Sequence, residues 1–156
     1  MRMVGWSRWG NVGTTTCGEL VTTSAAETEA AGERLARHLR HGDLVLLVGD
    51  LGAGKTTLVR GMARGLGSSA EVMSPTFQLV RVYPGRVQLA HVDLYRLAGL
   101  DELADLGLEE LLDEGAVVVE WGERLGGPAT ARISLEVLEE DRRRLRLEEA
   151  PPTWSW

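Results

Sequence analysis

Leu44-Val45-Leu46-Leu47-Val48-Gly49-Asp50-Leu51-Gly52-Ala53-Gly54-Lys55-Thr56 is the stretch that decides the fold. Its first five residues form an unbroken apolar run, the pattern of a strand buried on both faces and hence of a parallel sheet covered by helices. Gly49 to Thr56 then matches G-x-x-x-x-G-K-[ST] in full. Glycines let backbone N–H groups turn inward around phosphate oxygens, and the helix read from Thr56 to about Leu66 adds its positive N-terminal end. In such a loop the lysine reaches the β- and γ-phosphates and the hydroxyl after it ligates magnesium. Of the 17 lysines and arginines only Lys55 is a lysine, and it stands where the pattern demands one. The stretch predicts ATP and Mg2+ as ligands, with Asp50, Leu51, Gly52, Ala53, Gly54, Lys55, Thr56 and Thr57 around the phosphates.

Working outward, Glu19 to Thr23 reads as an edge strand. Ser24 followed by Glu27 is a capping-box start for a helix that Leu35, Ala36 and Leu39 carry to about Arg40, where Gly42 stops it. His38 and His41 fall at its C-terminal end, where a positive ring suits the helix dipole. Phe77 to Val82 and Val87 to Val92 read as a hairpin around Pro84-Gly85. Leu100 to Glu114 is helical in pieces, broken near Gly107. Ala116 to Val119 is a second fully apolar strand, and Ile133 to Leu138 with Arg142 to Leu147 make a final hairpin. The sum is a three-layer α/β P-loop fold whose mixed sheet joins parallel core strands to antiparallel hairpins. Residues 1–17 read as a loose leader, 18–150 as the domain, and Pro151 to Trp156 as a tail leaving the fold, while Trp6, Trp9, Trp154 and Trp156 leave open a second reading in which the ends pack against the domain or a partner.

At 156 residues the chain fits one domain with a real core. A net charge of -6 disfavours direct, tight binding to a nucleic-acid backbone. There is no membrane span or signal peptide, and the lone Cys17 suits a reducing cytoplasm. Arg142-Arg143-Arg144 reads as cross-strand pairing with Glu136, Glu139 and Glu140 rather than as a tRNA contact. Glu120 closes the apolar strand Ala116–Val119, and Asp93 closes the strand Val87–Val92. Ligands of α/β sheets gather at such strand ends, which makes both acids candidates for the metal and the attacking water.

Beyond the loop, Ser74-Pro75-Thr76-Phe77, His91-Val92-Asp93-Leu94-Tyr95-Arg96 and Glu120-Trp121-Gly122-Glu123-Arg124-Leu125 follow in order. Together with Gly49 to Thr57 they resemble the bacterial TsaE (YjeE) family, from about Glu19 to Glu149. That resemblance implies slow magnesium-dependent ATP hydrolysis in tRNA threonylcarbamoyladenosine biosynthesis, docking to TsaB and TsaD, and contact with tRNA only through that complex. By position it implies Lys55 and Thr56 on phosphate and magnesium, Asp93 and Glu120 on metal and water, Thr76 as a γ-phosphate sensor, and Trp121 beside the site. His91, Tyr95 and Arg96 read as mainly structural. The isolated chain is expected to be a cytoplasmic monomer.

Two rival readings are a small-molecule P-loop kinase and a nucleotide-gated docking module. The kinase lacks its arginine-bearing lid between the phosphate-loop helix and the last strands. A guanine-specific GTPase is excluded, because its Asn-Lys-x-Asp element cannot be built from Asn11 and Lys55, the only residues of their types.

Overall fold

The computed structural model describes residues 18–72, 79–95 and 107–156. A seven-stranded sheet runs in the order β1-β7-β6-β2-β5-β4-β3. Its strands are β1 (Gly18–Thr22), β2 (Leu44–Val48), β3 (Val80–Tyr83), β4 (Gln88–Asp93), β5 (Gly115–Glu120), β6 (Ala131–Glu139) and β7 (Arg142–Glu149). The helices are α1 (Ala25–Leu35), α2 (Lys55–Gly65) and α3 (Leu108–Glu114). β2 pairs in parallel with β5 and β6, and β4 with β5, whereas β3, β7 and β1 run antiparallel to their neighbours.

Strand alternation divides the interior into two layers. Val45 and Leu47 of β2 with Ala116 and Val118 of β5 face the core under α1 and α2, which also takes Ile133, Leu145 and Leu147. Leu44, Leu46, Val117 and Val119 face the opposite core, against which Leu108, Leu111 and Leu112 of α3 pack. The apolar run in β2 is thus buried on both sides, and the three-layer α/β architecture with a mixed sheet holds. Among the described residues no helix is long and apolar enough to cross a membrane.

Ser24 caps α1 by accepting from the Glu27 N–H at 3.1 Å, and Glu27 reaches back to the Thr23 N–H at 2.6 Å. Both bonds satisfy donors that a helix start leaves open. α1 and α2 touch backbone to backbone: a Cβ on Gly61 would overlap the Glu29 carbonyl, and one on Gly32 the Leu58 carbonyl. Only glycine permits that approach.

Three expectations need correction. The α-helix ends at Leu35 and continues only as a 3-10 turn over Ala36–His38. The C-terminal segment does not leave the fold. Trp154 joins the main core, the His38 ring stacks on it at 5.6 Å and 15°, and Arg37 donates to the Ser155 hydroxyl at 2.9 Å. Finally, burial pushes the His38 pKa below its ordinary value, so its ring packs as a neutral group and not as a charge at a helix end. The leader, Phe77 and residues 100–106 lie outside the described residues.

On the outer face of β1, β6 and β7 the expected charge ladder is present for Arg142 and Arg144, whereas Arg143 meets Glu140 only at its main-chain carbonyl. Arg142 pairs with Glu139 at 2.7 Å, Arg144 with Glu136 at 3.1 Å and Glu19 at 3.2 Å, and Arg146 with Glu19 at 3.1 Å. Such exposed pairs contribute about 0–1 kcal/mol each.

Candidate functional site

The loop leaves the C-terminal end of β2 and closes onto α2. Gly54 stands immediately before the helix at φ 103°, a left-handed conformation that glycine adopts without strain. Gly49 passes so close to β6 that a Cβ would lie 2.5 Å from the Leu135 carbonyl oxygen. Asp50, Leu51 and Gly52 are exposed at the tip, and Ala53 is buried beneath it.

Lys55 is only 4% exposed. Its ammonium donates to the carbonyls of Gly49 at 2.5 Å and Asp50 at 2.9 Å and sits 4.1 Å from the centre of the Trp121 ring. Burial lowers its pKa, opposed by the negative charges of Glu120, Glu123, Asp93 and Asp50. Main-chain carbonyls are the acceptors that an anionic ligand displaces, so the lysine is held inside the loop ready to turn toward phosphate.

β5 runs beside β2 and ends on Glu120, which is buried at 4% exposure. Its Oε2 accepts from the Thr56 hydroxyl at 2.8 Å and meets Nε2 of His91 at 2.5 Å. Asp93 lies directly across from Glu120 in the β4–β5 pairing, and its Oδ1 accepts from the Tyr95 N–H at 2.9 Å. Trp121 follows at φ 60°, an uncommon conformation for a bulky residue, and packs on Tyr95 at 5.0 Å between ring centres. That kink carries the indole over Lys55.

The sheet order thus brings Lys55, Thr56, Asp93, Glu120 and Trp121 to one end of the parallel strands. Thr57 faces away from Glu120 and lines a separate cleft. Thr76 and Arg96 lie outside the described residues. Among the described residues no cluster of three His, Cys, Asp or Glu side chains gathers as a ready-made metal cage. Magnesium does not require one, since it takes one or two carboxylates together with substrate phosphates and water. The hard oxygens of Thr56, Asp93 and Glu120 fit that donor set.

His91 is the residue the sequence reading undervalued. It is fully buried, with one nitrogen on Glu120 and the other without a partner among the described residues. A buried imidazole bonded to a carboxylate fixes where that carboxylate points. The available signal was the spacing His91–Asp93, which puts both side chains on one face of β4.

A family model described as threonylcarbamoyl adenosine biosynthesis protein TsaE matches residues 22–146. The chain is similar to the tRNA threonylcarbamoyladenosine biosynthesis protein TsaE of Streptomyces coelicolor, at 51% identity across 76% of this chain and 77% of that protein. It is likewise similar to the protein of that name in Treponema pallidum, at 44% identity across 80% of this chain and 96% of that protein. The crystal structure of Bacillus subtilis YdiB superposes with a TM-score of 0.70 at 32% identity, covering 85% of this chain and 84% of that one.

Proposed function

The chain belongs to the TsaE family of threonylcarbamoyl adenosine biosynthesis proteins, and from that premise we propose that it binds ATP with magnesium and hydrolyses it slowly in support of a TsaB–TsaD complex acting on tRNA. The observation that carries this reading is the 2.8 Å bond from Thr56 to Glu120, beside the buried Lys55. It joins the phosphate loop to a strand-end acid, the pairing that hydrolysis of a terminal phosphate needs.

In the proposed reaction the main-chain N–H groups at the start of α2 and the Lys55 ammonium take the β- and γ-phosphates. Thr56 and Asp93, with Glu120 nearby, would hold magnesium, which when bound would supply positive charge that offsets the phosphates. Glu120, aimed by His91, orients a water for in-line attack and accepts its proton. The new P–O bond forms as the bond to ADP breaks, and ADP leaves with the negative charge. Trp121 and Tyr95 wall the site on the side of Lys55, and Thr76 senses the γ-phosphate.

The test is phosphate release by the purified chain with and without TsaB and TsaD from the same source. A slow basal rate that rises with the complex is the expected result. Calorimetry with Lys55→Ala is the companion measurement. Wild-type ATP affinity in that variant would defeat the assignment, because no second lysine exists to replace it.

A further inference from the structure

A lysine ammonium offers three N–H donors and no acceptor. In Lys55 the carbonyls of Gly49 and Asp50 take two of them, and the indole of Trp121 covers the group at 4.1 Å from its ring centre. The residue is 4% exposed, so the charge that a phosphate has to reach is shut inside the protein. A cation over a ring is drawn to the negative face of the π system, and the attraction strengthens where water is excluded.

The walls of this cage differ in what they can do. Gly49 is locked against β6, where a Cβ would lie 2.5 Å from the Leu135 carbonyl oxygen, so the loop side is fixed. The backbone beneath the indole is fixed as well. Trp121 stands at φ 60°, its carbonyl accepts from the Arg124 N–H at 3.0 Å, and the Glu120 carbonyl before it accepts from the Leu94 N–H at 3.2 Å. Gly122 after it is wedged on β2, where a Cβ would lie 2.5 Å from that of Leu46. Such a backbone conformation persists only where its surroundings over-determine it, and these contacts do so. What remains free to swing is the ring, about its own side-chain torsions.

A second ring steadies the first. Tyr95, half-exposed, packs on Trp121 at 5.0 Å between ring centres and a tilt of 36°. Its main-chain N–H donates to Asp93 at 2.9 Å, which ties the aromatic pair to one of the acids that would take magnesium.

We propose that Trp121 is a lid on Lys55: the indole occupies the side of the ammonium that phosphate takes, and a polyphosphate binds by pushing it off. The inference rests on the phosphate-loop reading and adds to it an internal competitor for the lysine. Lys55 is the only lysine of the chain, so protein carrying lysine isotope-labelled at Cε gives a single lysine NMR signal that needs no assignment. An indole over the ammonium moves the Cε protons upfield by its ring current. The wild type is expected to show that displaced signal, and to lose the displacement on addition of magnesium with inorganic tripolyphosphate. Trp121→Leu is expected to show the ordinary position throughout. By calorimetry it should bind tripolyphosphate about fivefold tighter, the size of one cation–π contact removed from the competing state. An upfield signal that persists at saturating tripolyphosphate overturns the proposal, because the ring then stays on the bound lysine. Equal or weaker affinity in folded Trp121→Leu overturns it too. Should the leucine variant melt early, Trp121→Asn takes its place, since asparagine tolerates a left-handed φ, and the same tightening is expected. Lys55→Ala keeps the two readings apart. Unchanged tripolyphosphate affinity in that variant overturns the phosphate-loop reading, whereas lost binding there beside an unmoved signal in the wild type overturns the lid alone.

Discussion

On one flank of the phosphate loop, Thr56, Glu120 and His91 form a chain of bonds of 2.8 and 2.5 Å that ends in a fully buried ring. On the other, Arg143 rests on carbonyls at the mouth of an open cleft. The first flank lies among β2, β4 and β5, parallel strands covered on both faces, so its groups are fixed before any ligand arrives. The second lies on β6 and β7, antiparallel strands with one polar face, and its cation still has to move. The difference separates two tasks. Chemistry requires donors and acceptors already in place, since reorganisation at the moment of reaction raises the barrier. A cleft outside that chemistry tolerates a side chain that adjusts.

The largest break in this comparison comes from Glu120→Gln. The amide keeps the shape but cannot take a proton, so hydrolysis should fall by about 10²–10⁴ while ATP binding persists. Phosphate release and calorimetry on one preparation measure both. A wild-type rate would transfer the water to Asp93 and leave the wired flank without its purpose.

Next in size is Trp154→Ala, which reaches the open flank through α1. Removing a buried indole costs about 3–5 kcal/mol, and here it also unseats His38 at the far end of the helix that walls the cleft. Melting temperature should drop by many degrees. Hydrolysis by the protein still folded at low temperature should survive, because the reacting groups lie on the other flank.

His91→Phe should lower the hydrolysis rate about 10–100-fold, the usual range for a group that orients a ligand or catalytic side chain. His91→Gln, which restores an N–H near Glu120, should recover part of the loss. A purely packing role for His91 would instead appear as a lowered melting temperature with an unchanged rate per folded molecule.

The smallest effect is the pH dependence of the C-terminal anchor. The folded protein holds His38 below its ordinary pKa of 6.5, so the unfolded chain takes up the proton first as pH falls. Stability contributed at this site is full above about 6.5 and is lost as pH drops from there toward the lower folded value. Thermal melts between pH 7.5 and 5.5 should show a decline that His38→Phe flattens.

Much of the closed flank was legible before any coordinates. The apolar runs of β2 and β5 can only be buried strands, and the glycines with Lys55 and Thr56 carry their chemistry within eight residues. Glu120 and Asp93 were singled out because each ends an expected strand, a choice the family resemblance reinforced. What escaped depends on contacts between distant parts of the chain. His91 sits among apolar neighbours and reads as packing until β4 is known to lie beside β5. Arg143 hides in a run of three like residues, and only the alternation of β7 separates it from the two that pair with glutamates. The size of Trp154 argued for burial, but the place where it packs, beside a histidine more than a hundred positions earlier, was not legible. The family resemblance named the residues of the reacting end, and the open flank lay beyond them.

Among the described residues β1 is an edge strand with β7 as its strand partner, Gly18 opposite Leu147 and Thr22 opposite Arg143. A ribosome adds about 5–20 residues per second, so β1 waits on the order of ten seconds after its synthesis for the strand it must join. A nascent chain halted just past Glu120 already carries Gly49 to Thr56, while β6, which Gly49 packs against, and β7 have yet to be translated.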